Sequence, residues 1–207
     1  FKSEPDGFYQ FALSPNSVIQ HFNSLGFEFI YSKGLDGLKG IKDEISFFNQ
    51  LHNQLNHDGI HLELFYGFGN QVDQKRRYLS YDLSWGFAQK DKYIHLGKHK
   101  LVYQPYLKYL NDCDLIIVGH ELKLLLNYQL LFRKWFSHPH AKLAFWGHSR
   151  NHQDHKGSFM NRIKIKLNNL PDWWFTYTKR EAEFLCANGF PSEKISITQN
   201  TIGTEEL

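Results

Sequence analysis

An α/β fold, with a mostly parallel sheet flanked by helices, is predicted by two features of the sequence. Between Lys142 and Asn200, three short apolar runs (Lys142 to Trp146, Trp173 to Tyr177, Ile195 to Thr198) alternate with two segments of helical period. That alternation marks consecutive βα units feeding a parallel sheet. Upstream, Asp114 to Val118 is an apolar run of strand length that ends in Gly119-His120-Glu121. The segment that follows, Leu122 to Phe136, reads as a helix.

Composition sets the outer limits. A chain of 207 residues fits one large domain or two small ones, and 42% hydrophobic residues can fill a core. No apolar run approaches the ~20 residues of a membrane span, and no signal peptide is visible. The chain begins at Phe1 and stops at Thr204-Glu205-Glu206-Leu207, which reads as the start of another element, so a fragment is expected. Cys113 and Cys186 form no disulfide framework, and a reducing cytoplasm is the expected location. A net charge of +3 is too modest for a nucleic-acid partner, although twelve histidines make it pH-dependent.

The remaining elements follow in order. Ser14-Pro15 starts a helix, with Val18, Ile19, Phe22 and Leu25 as its apolar stripe and Gly26 as its C-cap. Phe27 to Tyr31 is a buried strand running into Lys33 to Gly40, where three glycines, among them Gly34 and Gly37, leave room for backbone to approach a ligand, with a plain strand-to-helix connection as the alternative. The spacing matches neither a dinucleotide loop nor a P-loop. A helix runs from Ile41 to about Asn56 with Ile45, Phe48, His52 and Leu55 on one face, and Asp58-Gly59 ends it. Ile60 to Tyr66 alternates as a strand, with Leu62, Leu64 and Tyr66 on one side. Gln71 to Gln89 is a polar loop, Tyr93 to Leu96 a short strand, and Leu101 to Leu110 a helix with Pro105 in its first turn.

Several of these segments carry a resemblance. The AFWGHSRN loop, WWFTYTKREAEFL, the GFPSEKI turn and QNTIGTEEL, in this order and spacing, resemble the second half of the amino-terminal, acceptor-side domain of retaining GT-B glycosyltransferases of family 4. Asn127-Tyr128 is a further shared feature. The resemblance implies a Rossmann-like domain over residues 27–200, one half of a GT-B fold, with residues 201–207 opening an interdomain linker. It implies transfer of a sugar, with retention, from a nucleotide-sugar donor to a hydroxyl of a glycan or lipid-linked acceptor, without a metal or other cofactor. Most donor contacts in that family belong to a carboxyl-terminal domain bearing two glutamates seven residues apart, so these 207 residues alone are expected to be inactive. Residues 1–45 also resemble the carboxyl-terminal strand-helix-strand of class I methyltransferases; no S-adenosylmethionine loop accompanies them, and residues 1–26 are read as an added cap or a remnant of such a domain.

Loops leaving the carboxyl ends of parallel strands line the ligand crevice, which selects the candidate site residues. His120 and His148 are the candidate catalytic residues, each able to meet a sugar hydroxyl or carry a proton, with a hydrogen-bonded structural histidine as the alternative for His120. In the loop from Trp146 to Asn151, Trp146 offers an apolar face for a sugar ring, Gly147 lets backbone approach, and Ser149, Arg150 and Asn151 offer donors for hydroxyls or phosphate. The alternative is that Trp146 is core and Arg150 solvated. Thr178 opens a T-x-x-E capping pattern whose free amides can receive an anion, and Asn200 closes the last strand. His148, His152 and His155 have metal-ligand spacing but lie in a loop-like segment without the glutamate of HExxH, and the resemblance argues against a metal.

Two basic stretches bear on a membrane surface. Arg162, Lys164 and Lys166 alternate with apolar residues, and Arg133-Lys134 precede Trp135-Phe136. Cations beside exposed aromatics suit docking on anionic lipid at the inner face of a membrane, with an ordinary solvated basic helix surface as the alternative. A non-catalytic carbohydrate-binding or protein-interaction module on the same scaffold is the alternative function.

Overall fold

The computed structural model describes residues 29–33, 41–67, 85–97, 99–111, 113–137, 140–149 and 159–198. Nine strands are assigned among them: β1 (Phe29–Lys33), β2 (Leu62–Gly67), β3 (Gly86–Gln89), β4 (Lys92–Leu96), β5 (His99–Tyr103), β6 (Leu115–Gly119), β7 (Lys142–Trp146), β8 (Trp173–Thr176) and β9 (Ile195–Ile197). Four α-helices join them: α1 (Ile41–His57), α2 (Leu125–Ser137), α3 (Phe159–Leu167) and α4 (Lys179–Ala187). Seven strands form one sheet in the order β3-β2-β1-β6-β7-β8-β9, with every pairing parallel. The expected mostly parallel α/β sheet is therefore present. Strand order reverses between β1 and β6, and in open sheets of this kind that switch point is where the crevice forms.

Because both faces of the sheet are covered, its central strands read as unbroken apolar runs. Leu115 to Val118 and Leu143 to Trp146 are buried at every position. Alternate residues go to opposite faces. On one face Phe48, Leu51 and Leu55 of α1 pack with Leu62, Leu64, Tyr66, Ile117, Ala144 and Trp146. On the other, Leu126 and Leu130 of α2 and Leu185 of α4 pack with Ile116, Val118, Phe145 and Trp174. The buried face of α1 runs through Leu51; His52, expected there, lies beside it and stacks on Trp85 with ring centroids 4.1 Å apart. Gly59, at φ 78, supplies the left-handed turn that ends α1.

Three expectations need correction. Leu101 to Leu110 is not a helix: β5 pairs antiparallel with β4, and only Leu107–Tyr109 makes a 3-10 turn. Pro105 disfavours helical geometry at the residue before it, while Val102 and Tyr103 favour a strand. The carboxyl end of the Gln71 to Gln89 loop is instead β3, an edge strand paired to β2. At four residues it is too short to show an alternation. Finally, Arg162, Lys164 and Lys166 do not act as one basic set: Arg162 and Lys166, four apart on the helix, share an exposed face, whereas Lys164, two positions from each, points away and is buried. The expected helix at Ser14, residues 1–26 and residues 201–207 lie outside the described residues.

Trp174 is fully buried between the faces of β8 and α4, and its indole N–H donates to the Asn168 carbonyl at 2.8 Å. Trp174→Ala is expected to cost about 3–5 kcal/mol of stability, read as a fall in the urea midpoint with an unchanged slope; a midpoint shift equivalent to less than about 1 kcal/mol would mean that this half of the core is not closed as described.

Candidate functional site

The site is built on the carboxyl ends of β6, β7 and β8. Backbone pairing continues past the ends of these strands. The His120 N–H donates to the Trp146 carbonyl at 2.9 Å, and the Gly147 N–H donates to the Phe175 carbonyl at 3.1 Å. Gly147 sits at φ 130, a conformation that L side chains rarely adopt, and a Cβ there would meet the Tyr177 hydroxyl at 3.7 Å. The chain can thus turn sharply off β7 and deliver His148 and Ser149 above the sheet end.

His120 and His148 come together here, but in unlike environments. His120 is 4% exposed; its ring stacks on Phe145 at 4.7 Å and meets Trp174 edge-on at 4.9 Å. Its Nδ1 faces the His148 carbonyl at 3.4 Å, and its buried Nε2 has no hydrogen-bond partner among the described residues. Burial, reinforced by the ammonium of Lys164, pushes its pKa down to about 3. His120 is therefore a neutral ring at ordinary pH and does not meet solvent. His148 is 42% exposed at its side chain, and its Nδ1 lies 2.6 Å from Oε1 of Glu181. Its ring also meets Tyr177 edge-on at 4.9 Å.

The other expected residues divide. Trp146 is 5% exposed and packs against Phe175, so it is core and offers no open platform to a sugar ring. Ser149 is fully buried: its carbonyl accepts from Asn168 Nδ2 at 2.7 Å, and its hydroxyl lies 3.5 Å from the Glu181 carbonyl. It holds the loop down rather than facing a ligand. Thr178 caps α4, accepting from the Glu181 N–H at 3.3 Å, as the T-x-x-E pattern predicts. Gly34, Gly37, Arg150, Asn151 and Asn200, with His152 and His155, lie outside the described residues.

Sequence reasoning missed Glu181 and Lys164 as parts of this site. The signal for Glu181 was present but had a sufficient local explanation as the third helical residue of a capping box. Lys164 carried no signal, since a lysine on a helix is normally solvated.

The buried neutral state of His120 makes stability depend on pH. In the unfolded chain the ring titrates at its ordinary value of about 6.5. Below that pH the unfolded state binds a proton that the folded state refuses until about 3. This contribution is complete above the unfolded value and is lost as pH falls through the window between the two, at up to about 1.4 kcal/mol per pH unit. His120→Phe, which keeps a ring against Phe145 and Trp174, is expected to flatten the acid limb of stability against pH in urea unfolding. An identical slope in the variant would place His120 in contact with water.

No family model matches the sequence, and no curated protein matches it. Solved structures do resemble it. HepE from Anabaena in complex with UDP-glucose is similar at a TM-score of 0.52 and 9% identity, over 85% of this chain and 44% of that one. HepE in complex with UDP gives 0.49 at 9% identity over 84% and 44%, and the apo form of the lipopolysaccharide outer core galactosyltransferase WaaB gives 0.48 at 14% over 86% and 47%. This chain spans less than half the length of each. At these identities the likeness is one of fold: a mostly parallel α/β sheet flanked by helices, as in one half of the GT-B glycosyltransferases.

Proposed function

We propose that residues 27–200 are the acceptor-side domain of a retaining GT-B glycosyltransferase of family 4 type, with residues 1–26 as an added cap and residues 201–207 entering a linker. The reaction is transfer of a sugar from a nucleotide-sugar donor to a hydroxyl of a glycan or lipid-linked acceptor. The observation that carries this reading is the placement of His120 and His148 at the carboxyl ends of adjacent central strands, one pairing from the switch point. An imidazole on a half-exposed loop is suited to exchange hydrogen bonds with sugar hydroxyls. Donor contacts come mainly from a second domain, and Arg150 and Asn151, next in the chain after Ser149, contribute to the same loop. In a complete enzyme, His148→Ala and Arg150→Ala are each expected to lower kcat/KM by roughly 10- to 100-fold with unchanged circular dichroism. Unchanged turnover with UDP-glucose and a glycan acceptor would remove this loop from the mechanism. The 207 residues alone are expected to transfer no sugar, and detectable transfer would overturn the need for a second domain.

A membrane surface is the further partner we propose, on a specific observation. Phe132, Trp135 and Phe136 are exposed on α2, Trp135 by 77%, and the Phe132 and Phe136 rings lie 4.3 Å apart. No described helix is long and apolar enough to cross a membrane, so attachment would be interfacial. The chain is expected to float with vesicles containing phosphatidylserine and the Trp135→Ser/Phe136→Ser variant to lose at least half of that binding; equal flotation of both proteins would sink this assignment.

A further inference from the structure

The capping box at the start of α4 is only half built. Thr178 accepts from the Glu181 N–H, which is one of its two bonds. In a complete box the glutamate side chain reaches back to the N–H of the capping residue. Here Oε1 of Glu181 is instead 2.6 Å from Nδ1 of His148, across the gap between α4 and the loop after β7. Helix capping accounts for the threonine and leaves the direction of the glutamate unexplained.

We infer that Glu181 is a positioning residue: its carboxylate holds His148 as the Nδ1–H tautomer and thereby makes Nε2 a hydrogen-bond acceptor at the mouth of the crevice. A neutral imidazole has one N–H, and the nitrogen that donates to a carboxylate leaves the other as a base. Glu181 is 3% exposed and sits in the first turn of α4, where the helix amides favour a negative charge. The exposed member of the pair is the imidazole. Its backbone is fixed on both sides, by the Gly147 bond to Phe175 and by the His148 carbonyl facing His120 Nδ1. Its ring is set by the carboxylate and the edge of Tyr177. A buried acid, a half-exposed imidazole and a pinned loop are the parts by which other enzymes choose which ring nitrogen meets a hydroxyl. That the hydroxyl belongs to a sugar rests on the transferase reading above; the tautomer does not.

The measurement is a long-range proton–nitrogen correlation spectrum of the 207-residue chain labelled with 15N-histidine, recorded at mildly alkaline pH, with His148 assigned by the signal that disappears in His148→Gln. Wild-type His148 is expected to show a protonated Nδ1 and a bare Nε2, the reverse of the preference of free histidine. Glu181→Ala is expected to return His148 toward the free-histidine pattern. A protonated Nε2 in the wild-type chain would overturn the inference without any variant. So would an unchanged Nδ1–H tautomer in a Glu181→Ala chain whose other histidine signals stay in place. If the expected tautomer is found but His148→Gln leaves sugar transfer by the complete enzyme unchanged, the positioning role stands and the sugar-transfer reading falls.

Discussion

The central hydrogen-bond ladder runs one step beyond the last residue of β7, and the site depends on that step. Trp146 accepts from His120 on one side, and Gly147 donates to Phe175 on the other. Both bonds are backbone bonds, so they fix where the chain turns irrespective of the side chains that follow. The φ of 130 that the turn demands is one that L side chains rarely adopt, so glycine is favoured there by backbone conformation rather than by lack of space. His148 is delivered to the same place each time the sheet forms. The strands supply the precision and the loop supplies the chemistry, the usual division of labour in open α/β sheets.

Two buried polar groups in this site meet the cost of burial in opposite ways. His120 sheds its charge: surrounded by Phe145 and Trp174 and near the ammonium of Lys164, it stays neutral well into acid. Glu181 is held against a ring nitrogen at 2.6 Å and near the amides of a helix start. A buried carboxylate without such partners would be strongly destabilising. The imidazole that can act on a ligand is therefore His148, because it is both the more exposed ring and the one with a carboxylate behind it.

What was legible in the sequence follows from how local its cause is. The runs at β6, β7 and β8 were readable because a strand buried on both faces needs an apolar residue at every position, and the Thr178 cap because its bonds lie within three residues. β5 was misread because Pro105 and the apolar residues around it also fit a helix start, although its antiparallel partner β4 ends only two residues before it, at Leu96. Trp146 was ambiguous because the parity of a strand decides which face a side chain takes, and parity is set by pairing with neighbours. Glu181 was hidden by a sufficient explanation close at hand. Its partner is 33 positions away and becomes a neighbour only when β7 and β8 pair.

The two ends of the sheet make separate demands on an acceptor. Lys134, beside the exposed aromatics of α2, bonds to Asp172 and to the Leu170 carbonyl, and these residues lead into β8. Arg133 donates to the Leu110 carbonyl, on the approach to β6. The aromatic patch therefore lies at the amino-terminal ends of the strands and the histidines at the carboxyl-terminal ends. A five-residue strand separates these ends by about 17 Å at ~3.3 Å per residue, before any loop is added. A bilayer held at Trp135 would leave the crevice facing away from it, out of reach of an acceptor whose sugar sits close to its lipid. Lys134 is also already neutralised by Asp172 at 2.8 Å, which weakens the attraction to anionic headgroups that the sequence promised. Membrane docking through this patch and a short lipid-linked acceptor in this crevice are thus competing assignments, and of the two acceptor classes the geometry is easier to reconcile with a glycan approaching from solvent.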